Sequence, residues 1–426
     1  MKKCVVIGGG LAGLSAAVFL AGSGVKVEVI EAAPKTGGRT YSFKEPVSSD
    51  IIDNGQHILM GCYKDTIDFI RLINAENNFI FRKHLKVNFL MENFRLFQLK
   101  SGNSLYPFNL LSALLNYKAI SLSNRFKLLK FFAKLYFYPD HSLNKMTVSQ
   151  WLKQENQTEE LIKSFWEILT VGALNTGINK ASAKIFADIL KKIFFSGSKA
   201  AAIILPGSGL SEAFCVNSEK FIEERSGRIS LLETVSRFGI SGEKIISIFT
   251  NKRTITGFDY VVSAVPYINL KNILAKSGIN LNNIDFRYST IVSIHIWLKE
   301  NKLSEDFYGL INSPVHWIFN HKSHLSLVIS DANDLADVPK EEIFNTAALQ
   351  LEKFAGISKD NIVSYKIIKE KRATFIPSND ILNKRPGPYT GLKNFFLAGD
   401  WINTGLPATI ESAVKSGRMV SEMIPV

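Results

Sequence analysis

Three glycines, Gly8, Gly10 and Gly13, stand at Gly-x-Gly-x-x-Gly spacing near the start of a 426-residue chain. An apolar run, Cys4-Val5-Val6-Ile7, precedes them, and a small-residue segment, 11–21, follows. A strand that turns at once into a helix has this pattern. Gly8 permits the tight turn, Gly10 lets the backbone approach a pyrophosphate, and Gly13 lets the helix pack close to the strand. The helix start, with Leu11 and Ala12, offers free amides and a partial positive charge to phosphates. A second alternating segment, 25–30, ends in Glu31, whose carboxylate can accept from ribose hydroxyls. The chemistry implied is dinucleotide binding. A mere glycine-rich turn would leave the agreement of strand, spacing and acid unexplained.

That fingerprint leaves NAD and FAD both open. Gly37-Gly38-Arg39-Thr40 follows closely, in a loop where glycines allow backbone approach and Arg39 can reach a phosphate bidentately. Alone, it would read as a glycine-rich hairpin with a surface arginine. The far end decides for FAD. Leu397-Ala398-Gly399-Asp400-Trp401 is an apolar strand stopping at Gly-Asp, and a helix then starts at Pro407, taking in Ala408, Thr409 and Ile410. Asp400 can bind a sugar-like hydroxyl, and the helix start can stabilise negative charge on a flavin ring. Between these ends lies Asp53-Asn54-Gly55-Gln56-His57. His57, with Gln56 beside it, is a candidate general acid near neutral pH. The other reading is that His57 and Asn54 hold a loop by hydrogen bonds.

These residues need elements to position them. The periodicity predicts buried strands at 4–7, 25–30, 259–266 and 395–400. Residues 106–138 and 161–196 read as helical, and 228–256 as short antiparallel strands. Strands of a second sheet are expected at 290–298 and 325–330, with an amphipathic helix at 341–354. The fold class is α/β: a Rossmann-like FAD-binding domain with an inserted mixed α+β substrate domain. The expected division is 1–80, 205–266 and 391–426 for FAD binding, and 81–204 and 267–390 for substrate.

Composition supports a folded enzyme. Apolar residues make up 46% and charged residues 21%, and 30 phenylalanines suit a greasy interior or an apolar ligand. Cys4, Cys62 and Cys215 lie far apart, so no disulfide framework and no metal site is expected, and a cytoplasmic location is the simplest. The run 4–25 could pass for a signal peptide or membrane span, but its glycines sit where a strand must turn. Net charge is +13, yet the lysines are scattered and no nucleic-acid module is visible, so no nucleic-acid partner is expected. Residues 125–138 put Lys127, Lys130 and Lys134 on one side and Leu128, Phe131, Phe132 and Leu135 on the other. Such a helix lies on an anionic membrane, or else covers the substrate domain as a surface helix.

The motifs at both ends resemble the amine oxidase and carotenoid desaturase group of flavoproteins. Asp53 to His57, Lys371-Arg372-Ala373-Thr374-Phe375, Arg385-Pro386, and 397–413 resemble more closely the squalene-associated desaturase-like proteins, the hydroxysqualene dehydroxylases of bacterial hopanoid and squalene synthesis. The resemblance implies that Val235 meets the adenine side of FAD, Asp400 the ribityl chain, and the Ile410 amide the flavin's carbonyl edge. It implies that residues 53–57 run close to the flavin. Ser412 departs from the glycine common in amine oxidases. No cysteine lies near the C-terminal flavin segment, so FAD is expected to be non-covalent. The implied activity is reductive dehydroxylation of hydroxysqualene to squalene, with a lipophilic isoprenoid substrate. Peripheral contact with the inner face of the cytoplasmic membrane and association with other squalene-synthesis enzymes go with it. The rivals are a phytoene desaturase-like activity, an amine oxidase, and a flavin-binding scaffold in a lipid-synthesising complex.

Overall fold

The structure is a computed structural model that describes residues 1–279 and 283–425. A five-stranded parallel sheet runs in the order Arg228–Ser230, Lys26–Ile30, Lys3–Ile7, Tyr260–Ser263, Phe395–Leu397. The central strand is buried on both faces, as its unbroken apolar run requires. Helix Leu11–Gly22 leaves that strand at once and packs on helix Ile410–Met423. The two helices cross so closely that a Cβ on Gly417 would lie 2.8 Å from the Ala12 carbonyl oxygen. The first and last elements of the chain therefore share one core.

A second sheet of seven strands runs in the order Ile362–Phe375, Tyr288–Leu298, Leu325–Ile329, Trp317–Asn320, Phe307–Leu310, Lys86–Met91, Arg95–Lys100. Its pairings are antiparallel except for the parallel contact of Phe307–Leu310 with Lys86–Met91. Helix Lys340–Ala355 covers one part, burying Ile343, Ala347, Leu351 and Phe354. Its carboxyl end is closed by Gly356 in the left-handed region, at φ +66°. Helices Phe108–Leu115, Leu122–Tyr136, Val148–Gln154 and Ala183–Phe195 pack around an aromatic core with Phe131, Trp151 and Trp166 at its centre.

Four expectations are corrected. Residues 228–230 were expected in an antiparallel set; they pair parallel with Lys26–Ile30 and extend the first sheet. Only Val235–Ser241, Lys244–Thr250 and Thr254–Ile255 form the antiparallel unit. The stretch 161–196 is not one helix. It stops at Asn175, which takes a left-handed φ of 47°, and resumes at Ala183. The last helix begins at Ile410 rather than Pro407, because Thr409 is its cap and accepts from the Ser412 amide at 3.1 Å. The apolar side of the 125–138 helix does not face a membrane: Leu128, Phe131, Phe132 and Leu135 are all buried in the aromatic core. Lys134 on the other side pairs with Glu155 at 2.7 Å.

Candidate functional site

At the carboxyl end of the central strand, the first helix and the Gly37 loop lie side by side. The Gly37 amide donates to the Gly9 carbonyl at 2.8 Å. A Cβ on Gly38 would lie 3.1 Å from the Gly10 Cα. A Cβ on Gly13 would lie 1.8 Å from the Gly8 carbonyl oxygen, so no other residue fits there without moving the helix off its strand. Leu11, Ala12 and Gly13 are the first three residues of that helix, and their amides have no acceptor within it. The result is a narrow cradle of backbone amides at a positive helix end, suited to an anion. Thr40 shapes the loop from within: its hydroxyl donates to the Gly37 carbonyl at 2.7 Å.

Glu31 flanks the cradle. Its carboxylate accepts from the Gly9 amide at 2.5 Å and the Ala33 amide at 2.7 Å. The Glu31 carbonyl accepts from the Glu233 amide at 2.9 Å, and Leu232 bonds the Ala33 carbonyl. This brings the 231–235 segment beside Glu31. Val235 is buried two residues on, at the first position of its strand.

The other end of the site comes from the far end of the chain. Gly399 takes φ +145°, and a Cβ there would strike the Trp401 indole. Asp400 is buried and pairs with Arg39 at 2.7 Å. Arg39 also donates to the Ala373 carbonyl at 2.5 Å. The guanidinium of Arg39 is thus aimed at Asp400 and the 371–375 strand. Ala408 and Thr409 lead into Ile410, whose amide opens the last helix. Ser412 fits this arrangement, with its hydroxyl 2.6 Å from that of Thr404 and 3.4 Å from the Asp400 carbonyl.

Residues 54–57 reach the same region. The Asn54 side chain donates to the Arg39 carbonyl at 3.4 Å, and the Asn54 amide to the Tyr41 carbonyl at 2.9 Å. His57 Nδ1 lies 3.1 Å from the Gly55 carbonyl. Burial first, and Arg39 as a lesser cause, hold the His57 pKa below its ordinary value despite that bond. Gln56 and His57 are both half-buried.

One residue was quoted in the sequence only as part of a motif, and its work is visible only in the fold. The buried Arg385 guanidinium donates to the carbonyls of Trp401 at 3.1 Å, Leu406 at 2.7 Å and Asp400 at 3.0 Å, and also to that of Ile402. It holds the whole turn between Asp400 and the last helix. Its own pKa is pushed down to about 10 by burial, with Asp400 opposing.

A family model described as flavin containing amine oxidoreductase matches residues 11–424. The chain belongs to that family. As a member of the amine oxidoreductases, it is a flavin-dependent oxidoreductase with a Rossmann-like flavin-binding fold. It is 29% identical over 432 residues to the hydroxysqualene dehydroxylase of Rhodopseudomonas palustris, covering 100% of this chain and 99% of that one. The hydroxysqualene dehydroxylase of Zymomonas mobilis is 27% identical over 426 residues, 99% of each chain. The 15-cis-phytoene desaturase of Synechococcus elongatus is more distant, at 23% identity over 99% of this chain and 95% of its own. Among solved structures, an oxidoreductase from Methanosarcina mazei superposes with a TM-score of 0.74 at 16% identity, covering 99% of this chain and 100% of that one. Likeness at that identity establishes the amine oxidoreductase fold and no more.

Proposed function

We propose that this chain binds FAD without a covalent link and uses it to remove the hydroxyl of hydroxysqualene reductively, giving squalene. The observation that carries the reading is the full-length similarity to hydroxysqualene dehydroxylases. The geometry is consistent with it. Gly8, Gly10, Leu11, Ala12 and Gly13 would hold the pyrophosphate, with Gly38 and Thr40 closing the cradle. Glu31 would take the adenosine ribose and Val235 the adenine side. Gly399 and Asp400, steadied by Arg39, would take the ribityl chain. Ala408, Thr409 and Ile410 would face the carbonyl edge of the ring. The cradle fits such a group because its close glycine contacts admit no side chain and leave backbone amides facing the site.

The thiols support the non-covalent reading. Cys215 is the cysteine nearest the Gly37 loop, donating to the Thr40 carbonyl at 3.8 Å, and burial pushes its pKa up to about 12. Cys62 is pushed up to about 11 by burial and by Glu411. Neither supplies a thiolate at neutral pH.

Bound and reduced, FAD supplies a hydride equivalent. In the net change the allylic C–O bond breaks, a C–H bond forms, and the hydroxyl takes one proton and leaves as water. The chain's part is to position substrate, exclude water and deliver that proton. His57 is the proposed donor. With its Nδ1–H donating to Gly55, the ring is fixed and Nε2 faces away to carry the proton. A lowered pKa makes the imidazolium a stronger acid but a scarcer one, so a step that depends on it slows as pH rises. Gln56 is proposed as its neighbour in orienting the substrate hydroxyl. The same reading gives residues 1–80, 205–266 and 391–426 to FAD and residues 81–204 and 267–390 to the substrate. It has the enzyme draw a C30 alcohol from lipid, peripherally on a membrane and beside other squalene-synthesis enzymes.

Lipid analysis tests the assignment. Cells that make hydroxysqualene should convert it to squalene when this chain is expressed, and accumulate it when the chain is absent. Accumulation in both cases would overturn the reading.

A further inference from the structure

The greasy side of helix Leu122–Tyr136 is core, yet the same end of the molecule exposes a different apolar surface. Leu105 is 83% exposed, Phe108 66%, Tyr136 62% and Phe137 80%. These residues come from two places in the chain, and both segments reach the end of helix Ala183–Phe195. The Tyr106 hydroxyl donates to the Phe194 carbonyl at 3.2 Å, and the Tyr136 ring packs edge-on against Phe195 at 5.4 Å and Phe137 at 5.0 Å. Isolated exposed apolar residues are ordinary, but a cluster of large aromatics joined by contacts is not.

The charge around it is one-sided. From Asn93 to Pro139 the sequence holds seven basic residues and no Asp or Glu, in a chain with 38 acids in 426 residues. Lys127, Lys130 and Lys134 are exposed along the helix that ends in Tyr136 and Phe137. Lys191 reaches the Tyr138 carbonyl at 3.3 Å, adding a further cation at the same end. Of the acids brought in from elsewhere, Glu155 is paired with Lys134 and accepts from the Tyr138 hydroxyl, while Glu160 accepts from Ser121 and Asn124. An aromatic tip framed by cations is complementary to an anionic lipid surface, where rings enter the headgroup level and lysines stay at the phosphates. It is a poor match for an ordinary protein partner, whose contact would strand the lysines. Among the described residues no helix is long and apolar enough to cross a membrane.

We infer that the tip formed by residues 105–108, Tyr136, Phe137 and Phe195 docks this protein on an anionic bilayer, lying on the surface rather than spanning it. This identifies the face for the membrane contact proposed above, and it stands or falls apart from the identity of the substrate. None of its residues lies in the flavin site.

Vesicle flotation of the full-length flavin-loaded protein tests it. Binding to phosphatidylglycerol-rich vesicles should exceed binding to phosphatidylcholine vesicles at least tenfold, and should weaken as salt rises. Phe108→Ser with Phe137→Ser should cut binding to anionic vesicles at least tenfold, with flavin content and turnover on detergent-dispersed substrate unchanged. Lys127→Glu with Lys130→Glu should cut it too, and weaken the salt dependence. Equal binding to both vesicle types, or undiminished binding by the phenylalanine variant, overturns the inference. So does a wild-type dimer that the phenylalanine variant converts to monomer, since a second copy would then cover the tip.

Discussion

Arg39 and Asp400, 361 residues apart in sequence, form an ion pair at 2.7 Å. Through it the loop after the first nucleotide-binding unit is fixed to the end of the last strand. Asp400 is buried while Arg39 is well exposed, so the pair orients the acid more than it stabilises the fold. Asp400→Ala is expected to weaken FAD binding by about tenfold or more, the worth of one charged hydrogen bond of about 1.5–3 kcal/mol. Arg39→Ala should lose less, because it frees Asp400 without removing it. Glu31→Ala should resemble Asp400→Ala. Fluorescence titration of the apoprotein with FAD reads all three, and wild-type affinity in all three would contradict the site.

Arg385 offers a sharper test of the turn that follows Asp400. Its guanidinium satisfies the carbonyls of Asp400, Trp401, Ile402 and Leu406 at once. Removing it leaves buried acceptors unpaired, each costing about 1–3 kcal/mol. Arg385→Leu should therefore lower the melting temperature by many degrees and lose flavin. Arg385→Lys should rescue little, since an ammonium cannot span the acceptors that the planar fork spans. Full rescue by lysine would show that charge alone matters.

Gly13→Ala should fail for a steric reason. The added methyl would sit 1.8 Å from the Gly8 carbonyl oxygen, against backbone that cannot swing away. Separation of the first helix from its strand should abolish FAD binding and destabilise the protein by several kcal/mol, about the scale of core overpacking or more. A stable, yellow variant would contradict the tight crossing.

Stability should fall in mild acid. Burial holds His295, His316 and His324 neutral, with pKa values pushed down to about 4 from an ordinary 6.5. His295 and His324 are fully enclosed, with ring centroids 5.8 Å apart, so charging one penalises the other. A depressed folded pKa favours the folded state at pH above 6.5, and that advantage is lost as pH falls from 6.5 towards 4. Each histidine contributes up to about 1.4 kcal/mol per pH unit in that window. Asp53 and Glu411, whose pKa values burial raises, act in the opposite sense near its lower end. Urea melts at pH 7.5, 6.0 and 5.0 should show the loss, and His295→Gln should flatten it. A flat wild-type profile would contradict the neutral cluster.

What the sequence could disclose follows the range of the forces involved. The turn from Ile7 into the first helix is set by local sterics, so Gly8, Gly10 and Gly13 mark it directly. The pairing of Arg39 with Asp400 depends on where two distant segments come to rest, and no local pattern carries it. The period of residues 122–136 shows a two-sided helix, but not what its apolar side meets. That side proved to be core because Trp151 and Trp166 were waiting for Phe131. Residues 228–230 are too few to disclose a partner, so their place at the edge of the parallel sheet emerges only from the fold. Arg385 was visible as a motif, but its four acceptors lie 15 to 21 residues away.

The proton donor can be read from kinetics. If His57 delivers the proton, flavin oxidation by substrate should slow as pH rises through a pKa below 6.5, in keeping with its depressed value. His57→Ala should slow that step by about 10²–10⁴-fold and remove the pH dependence, with FAD still bound. An unchanged rate would make His57 a loop-holding residue, tied to Gly55 and no more.

The central claim is the direction of the redox reaction, and a single turnover tests it most directly. The enzyme, its flavin reduced beforehand under anaerobic conditions, is mixed with hydroxysqualene, and flavin absorbance and lipid products are followed together. One squalene should form and one flavin should be reoxidised per active site. No flavin reoxidation, or double bonds introduced into phytoene by the oxidised enzyme instead, would contradict it.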